Sequence, residues 1–210
     1  GKSMRKDFQD LIDSYIKISE ELVENDIGIT PVENELLVYL DKEELHSILT
    51  ENNELSVSHQ MKFWKEIGFI KTNKNEKRYA SKVKIKNSWV RKYVINLEPY
   101  FVFKEIVESK NEGKKIFLSL YYEHEALTKF LLNKATEKII ERPGKIYLDN
   151  DYFRELLSKK PFLPVEEKLK YMKKLGLIIT NKSEIKFCKV VRVDGNMVRK
   201  IVLNSSIVEL

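Results

Sequence analysis

The chain has 210 residues, room for one domain or two small ones, and its 42% hydrophobic and 33% charged content provides for cores. Its single cysteine, Cys188, excludes a disulfide framework within one chain and fits a reducing compartment. No apolar run approaches the roughly 20 residues of a membrane span, and no signal-peptide pattern is present. Gly1-Lys2-Ser3 ahead of Met4 reads as a cloning remnant, not a phosphate loop, because no glycine loop precedes Lys2.

The net charge of +6 is unevenly spread. Residues 1–61 carry 5 basic against 14 acidic side chains, and residues 62–92 carry 11 against 2. Residues 93–167 are nearly balanced at 12 against 13, and residues 168–200 return to 10 against 2. General lysine enrichment would spread evenly. Two separate basic blocks are instead the electrostatic footprint of a nucleic-acid-binding chain.

In chain order, residues 5–25 form an amphipathic helix with Phe8, Leu11, Ile12, Tyr15, Ile18 and Leu22 on one face. Asp7, Asp10, Asp13, Glu20, Glu21 and Glu24 face outward, so this helix packs behind any DNA-reading surface or serves a homodimer. Gly28-Ile29-Thr30-Pro31 breaks it, and Leu36–Leu40 is a short strand or the end of another helix. Asp41 is placed to N-cap a helix over residues 42–51, with Leu45, Ile48 and Leu49 inward. After Asn52-Asn53-Glu54, a second helix runs from its N-cap Ser56 to a C-cap at Gly68. Its buried stripe is Val57, Met61, Trp64 and Ile67, which leaves Ser56, Ser58, His59, Gln60, Lys62, Phe63 and Lys65 off the stripe. Phe69–Thr72 and Arg78–Ile85 are β-prone around a polar tip at 73–77, which predicts a hairpin. A further strand, Trp89–Ile95, follows.

Residues 97–145 form the middle of the chain. Tyr100, Phe101, Phe103, Phe117, Tyr121 and Tyr122 make the stretch 100–122 dense in aromatics. Lys110–Lys115 is a polar turn around Gly113. Ile116–Tyr122 and Glu125–Glu141 read as helices, the latter with Leu127, Phe130, Leu131, Ala135 and Ile139 inward and stopped by Arg142-Pro143-Gly144. A flexible linker would be rich in glycine and serine. This stretch is instead a packed spacer, or a homodimer interface through its aromatic segment 100–122.

The remainder repeats what came before. Shifted by 108 positions, Tyr39–Asn96 lies on Tyr147–Asn204 without a gap, and about a third of the aligned positions are identical. Tyr39-Leu40-Asp41 matches Tyr147-Leu148-Asp149, Gly68 matches Gly176, Thr72-Asn73-Lys74 matches Thr180-Asn181-Lys182, and Val90-Arg91-Lys92 matches Val198-Arg199-Lys200. The predicted helices of this copy are Asn150–Lys160 and Pro164–Gly176, the second with Val165, Leu169, Met172 and Leu175 inward. A hairpin around 181–184 and the Asp194-Gly195 turn complete it.

Helix, short turn, helix, glycine and hairpin resembles the winged helix-turn-helix. The resemblance covers 39–96 in one copy and 147–204 in the other, and is one of architecture. It implies an α+β fold, with two winged-helix domains related by internal duplication and joined by a helical spacer. The boundaries are residues 1–98 for the first domain with its N-terminal helix, 99–124 for the spacer and 125–210 for the second domain. It implies that the second helix of each copy reads the major groove of double-stranded DNA and that a hairpin is the wing. The extra strand leaves two candidates for the wing tip, 73–77 and 86–88. The expected DNA-binding residues are Ser56, Ser58, His59, Gln60, Lys62, Lys65, Lys71, Lys74, Lys77 and Arg78 in the first copy. In the second they are Lys170, Tyr171, Lys173, Lys174, Lys182 and Lys186. Glu166 and Glu167 suit the positive end of their helix but repel phosphate, so the first copy is expected to carry most of the base reading.

His46, His59 and His124 have no second histidine or cysteine at metal-ligand spacing. No phosphate loop, nucleophile elbow or HExxH helix occurs. The chain therefore reads as a non-enzyme without metal or cofactor. It is expected to be cytoplasmic and associated with the nucleoid, as a transcriptional regulator or a replication or maintenance factor of a mobile element. The competing reading is a protein-interaction scaffold built from tandem winged helices that does not bind DNA.

Overall fold

A computed structural model describes residues 2–25, 29–32, 35–51, 55–73, 77–132, 134, 136, 138–181 and 186–207. Among them the fold is α+β, with seven α-helices and two antiparallel sheets. No helix among the described residues is long and apolar enough to cross a membrane. The chain divides into two compact units, with the boundary between Phe101 and Val102.

The first unit opens with helix α1, Lys2–Glu24. Strands β1 (Ile29–Val32) and β2 (Glu35–Leu40) form a hairpin, so Leu36–Leu40 belongs to a strand. Helices α2 (Lys42–Thr50) and α3 (Val57–Ile67) follow. Ser56 N-caps α3 by accepting from the His59 N–H, and Gly68 ends it at φ +88°, a left-handed conformation that favours glycine. The core forms where α1 and α3 meet the sheet. Tyr15 stacks on Phe69 with ring centroids 3.7 Å apart and meets Trp64 edge-on at 5.6 Å. The Tyr15 hydroxyl donates to the Asn96 carbonyl and accepts from the Tyr100 N–H. Each large side chain buried in this way contributes about 1.5–3 kcal/mol.

The strand pairing corrects the predicted hairpin. Strand β3 (Ile70–Lys71) and strand β4 (Ser81–Ile85) do not pair with each other; both pair with β5, Ser88–Asn96. Lys71 faces Val94 and Ser81 faces Lys92, so β5 carries the two strands one after the other along its length. Ser81 Oγ donates to the Lys71 carbonyl at 3.1 Å, joining the start of β4 to the end of β3. The true hairpin is β4–β5, turning at Lys86 and Asn87, both at positive φ (48° and 65°). That is the backbone of a two-residue type I′ turn. With the N-terminal hairpin this sheet has five strands.

Helix α4 spans Glu98–Ser109. In the second unit, α5 is one continuous helix, Gly113–Leu131, where two helices reaching to Glu141 are expected from sequence. Ile139 lies instead in strand β6 (Ile139–Arg142), which pairs with β7 (Lys145–Leu148) across Pro143-Gly144. Proline disfavours helix in the residue before it, and the β-branched Ile139-Ile140 pair suits a strand. Phe117 packs edge-on against Phe103 and Tyr121, so the aromatic segment fastens α4 to α5 within this unit. Helices α6 (Asn150–Ser158) and α7 (Val165–Lys174) and strands β8 (Lys189–Val193) and β9 (Asn196–Asn204) complete it. This sheet has four strands in the order β6-β7-β9-β8.

The registers of the two units coincide under the sequence shift that relates the copies. Leu40 pairs with Tyr93 and Leu148 with Ile201; Ser81 pairs with Lys92 and Lys189 with Lys200. Asn96 and Asn204 each donate to the carbonyl of the corresponding glycine, Gly68 or Gly176, at 3.1 Å. Asp41 and Asp149 occupy N-cap positions, but their carboxylates pair with Lys92 and Lys200 rather than capping the helix.

The first helices also correspond, one position out of step. Phe8, Leu11, Ile12, Ser14, Tyr15, Ser19 and Leu22 of α1 are buried. So are Phe117, Leu120, Tyr121, Glu123, His124, Thr128 and Leu131 of α5, at an offset of 109. Each set presents a polar partner to the following helix pair. Ser14 donates to Gln60 Oε1, and Gln60 Nε2 donates to the carbonyls of Leu49 and Leu55. In the second unit Glu123 and Lys168 take these places, and Lys168 Nζ donates to the carbonyls of Leu157 and Lys160.

Candidate nucleic-acid interface

Helix α3 buries a face wider than the predicted stripe. It packs against both α1 and the sheet, so Phe63 turns inward onto Phe8 and Phe69. Gln60, expected at the DNA surface, is only 1% exposed and is consumed by its three hydrogen bonds. What remains outward is Ser58, His59, Lys62 and Glu66, beside the exposed cap Ser56. Lys65 is half-buried, its ammonium 5.7 Å from the centroid of the Tyr79 ring.

Lys71 lies half-buried on β3, and Lys77 and Arg78 ahead of β4 are exposed. Lys74 and Lys182 lie outside the described residues.

The β4–β5 hairpin adds a basic surface that the sequence reading does not include. Cross-strand partners share a face of a sheet. Lys84 faces Trp89 and Lys82 faces Arg91, so these four side chains lie on one face, and all are exposed. Val83 and Val90 occupy the opposite face. In the second unit the same register puts Arg192 opposite Met197 and Val190 opposite Arg199. The signal is in the sequence, where cations alternate on either side of the Lys86-Asn87 turn. Pairing β3 with β4 obscures it.

In the second unit α7 differs sharply from α3. Tyr171, also expected at the DNA surface, is 2% exposed and belongs to the core. Lys170 and Lys174 of α7 already face a carboxylate. Glu105 of α4 lies 3.3 Å from Lys170 Nζ and 4.0 Å from Lys174 Nζ. Burial works to lower the Lys170 pKa, but the hydrogen bond and charge of Glu105, with Tyr171, outweigh it and hold the ammonium above its ordinary range. Glu167 faces Lys110 at 3.4 Å, and Glu166 pairs with Arg154. Lys173 Nζ lies 3.4 Å from the carbonyl of the exposed Lys186.

Two ionisable groups of α5 lie buried away from these surfaces. Burial lowers the His124 pKa to about 4, despite the Asn204 backbone contact that favours the charged form. Burial raises the Glu123 carboxyl above the ordinary range, against the pull of Lys168. No cluster of His, Cys, Asp and Glu among the described residues could hold a metal ion. Against known proteins, the sequence matches no family model and no curated relative.

Proposed function

We propose that the chain binds double-stranded DNA through two winged-helix units produced by internal duplication. In each unit the two helices after the N-terminal hairpin would be the helix-turn-helix. The type I′ hairpin, β4–β5 or β8–β9, would be the wing, with its tip at Lys86-Asn87 or Asp194-Gly195 rather than at 73–77. The observation that carries this reading is the outer hairpin face, Lys82, Lys84 and Arg91, in the unit whose α3 presents Ser58, His59 and Lys62. Serine, histidine and lysine side chains can meet base edges in the major groove, and cations on the wing meet phosphates. The role would be that of a transcriptional regulator or of a replication or maintenance factor of a mobile element.

The two units are not equivalent readers. Glu105 occupies Lys170 and Lys174, charges on α7 that would otherwise face phosphate. The first unit therefore reads bases, and the second adds backbone contacts through its hairpin. This pairing on α7 also supports the alternative for the second unit, that it docks a protein.

The test is competition between a duplex selected from random sequence and bulk duplex. Ser58→Ala with His59→Ala should collapse the specificity ratio. Glu166→Ala with Glu167→Ala should leave the ratio unchanged or raise overall affinity. The reverse ranking would make the second unit the reader.

A further inference from the structure

Beside each hairpin turn the chain exposes a large apolar side chain at the same register. Trp89 is 68% exposed and Met197 is 60% exposed, and the two are counterparts in the duplication. A partner that covered either would gain about 25 cal/mol per Å² of apolar surface removed from water. Each stands opposite a cation, Lys84 or Arg192, with an arginine, Arg91 or Arg199, next on the same strand face. An apolar tip framed by cations is complementary to a polyanion with an apolar interior.

Resting on the DNA-binding reading above, we propose that Trp89 and Met197 are wedges. Each hairpin lies against the minor groove of duplex DNA and inserts its apolar tip between base pairs, while the flanking cations hold the phosphates on either side. Proteins that bend DNA from the minor groove use such side chains to unstack a step and kink the duplex by roughly 20–90°. The pairing of Trp89 with Met197 distinguishes this from binding of single strands. A stacking platform needs a π-face, which methionine lacks; bulk and hydrophobicity are what the two residues share.

Trp89 reports on itself, because the other tryptophan, Trp64, is 0% exposed. Acrylamide quenching of the full chain should fall several-fold on addition of duplex DNA, and energy transfer between labels at the two duplex ends should rise as the DNA bends. Trp89→Lys with Met197→Lys removes the wedges and adds charge at exposed sites. This variant should bind duplex at least as tightly but leave it straight. Trp89→Phe with Met197→Leu should keep the bend. Duplex binding with Trp89 still open to acrylamide and the DNA straight would overturn the wedge and leave the DNA-binding reading standing. Protection of Trp89 by single strands alone, without a bend in duplex, would overturn it in favour of stacking. No duplex binding by any variant would overturn both readings together.

Discussion

Replacing Lys168 by glutamine should cost the second unit about 3–5 kcal/mol, the range for breaking a buried ion pair by removing one partner. The Lys168 and Glu123 side chains are 0% and 3% exposed, with Nζ 2.8 and 2.9 Å from the two carboxylate oxygens. The ammonium also donates to the carbonyls of Leu157 and Lys160 and lies 4.1 Å from the centroid of the Phe162 ring. Glutamine retains only part of that bonding and strands the carboxylate. The first unit supplies the repair: Ser14 and Gln60 fill the corresponding positions with a neutral hydrogen bond. Adding Glu123→Ser should therefore recover most of the loss, leaving a net cost of about 1 kcal/mol, the worth of an ordinary hydrogen bond. Because burial already raises the Glu123 carboxyl, the cost of Lys168→Gln alone should shrink as pH falls and that carboxyl takes up its proton. Both tryptophans lie in the first unit, so their emission does not follow this change. Hydrogen exchange resolved over α5 and α7 does. A double variant no more stable than the single one would refute the equivalence of the two polar pairs. A cost unchanged between neutral and acidic pH would count against the stranded charge.

Three further outcomes are expected. Protonation of His124 should oppose folding. Its folded pKa is about 4 and its unfolded value about 6.5, so between them the unfolded chain binds the extra proton and stability rises with pH, by at most about 3 kcal/mol. Glu123 contributes the opposite slope, so the check is the difference in urea midpoint between the wild type and His124→Gln across pH 4–7; parallel curves would rule it out. Gly113→Ala should destabilise by about 1–3 kcal/mol or more, because a Cβ there would lie 2.5 Å from the Val107 Cα where α4 turns into α5. Urea unfolding followed by circular dichroism tests this, and an unchanged midpoint would contradict it. Asn87→Gly should stabilise the β4–β5 hairpin by a few tenths of a kcal/mol, since Asn87 sits at φ 65°; slower hydrogen exchange of β4 amides would report it.

The helices before each glycine are legible in the sequence because caps and periodicity agree: Ser56 and Gly68 frame α3, and the spacing of Met61, Trp64 and Ile67 marks its inner face. Their full burial is not. Phe63, Gln60, Lys168 and Tyr171 lie off a single stripe and are buried because α3 and α7 each pack on more than one side. Nothing local distinguishes a glutamine that bonds inside from one that faces solvent. The hairpin between β3 and β4 is expected from sequence because neighbouring strands usually pair, whereas β3 and β4 each pair with β5. That expectation hides Lys82, Lys84 and Arg91. The match of α1 to α5 escapes a fixed shift of 108 positions because it runs at 109, with few identities beyond Phe8 with Phe117, Leu11 with Leu120 and Leu22 with Leu131.

The most direct test of the DNA-binding account is the salt dependence of affinity for a labelled duplex, measured by fluorescence anisotropy. Each neutralised phosphate contributes about −0.9 to the slope of log K against log salt. Lys62, Lys77, Arg78, Lys82, Lys84 and Arg91 make six candidate contacts in the first unit alone. The expected slope is about −5 or steeper, made shallower by roughly two when Lys84 and Arg91 are both changed to alanine. A slope near zero, or one that this double variant leaves unmoved, would contradict it.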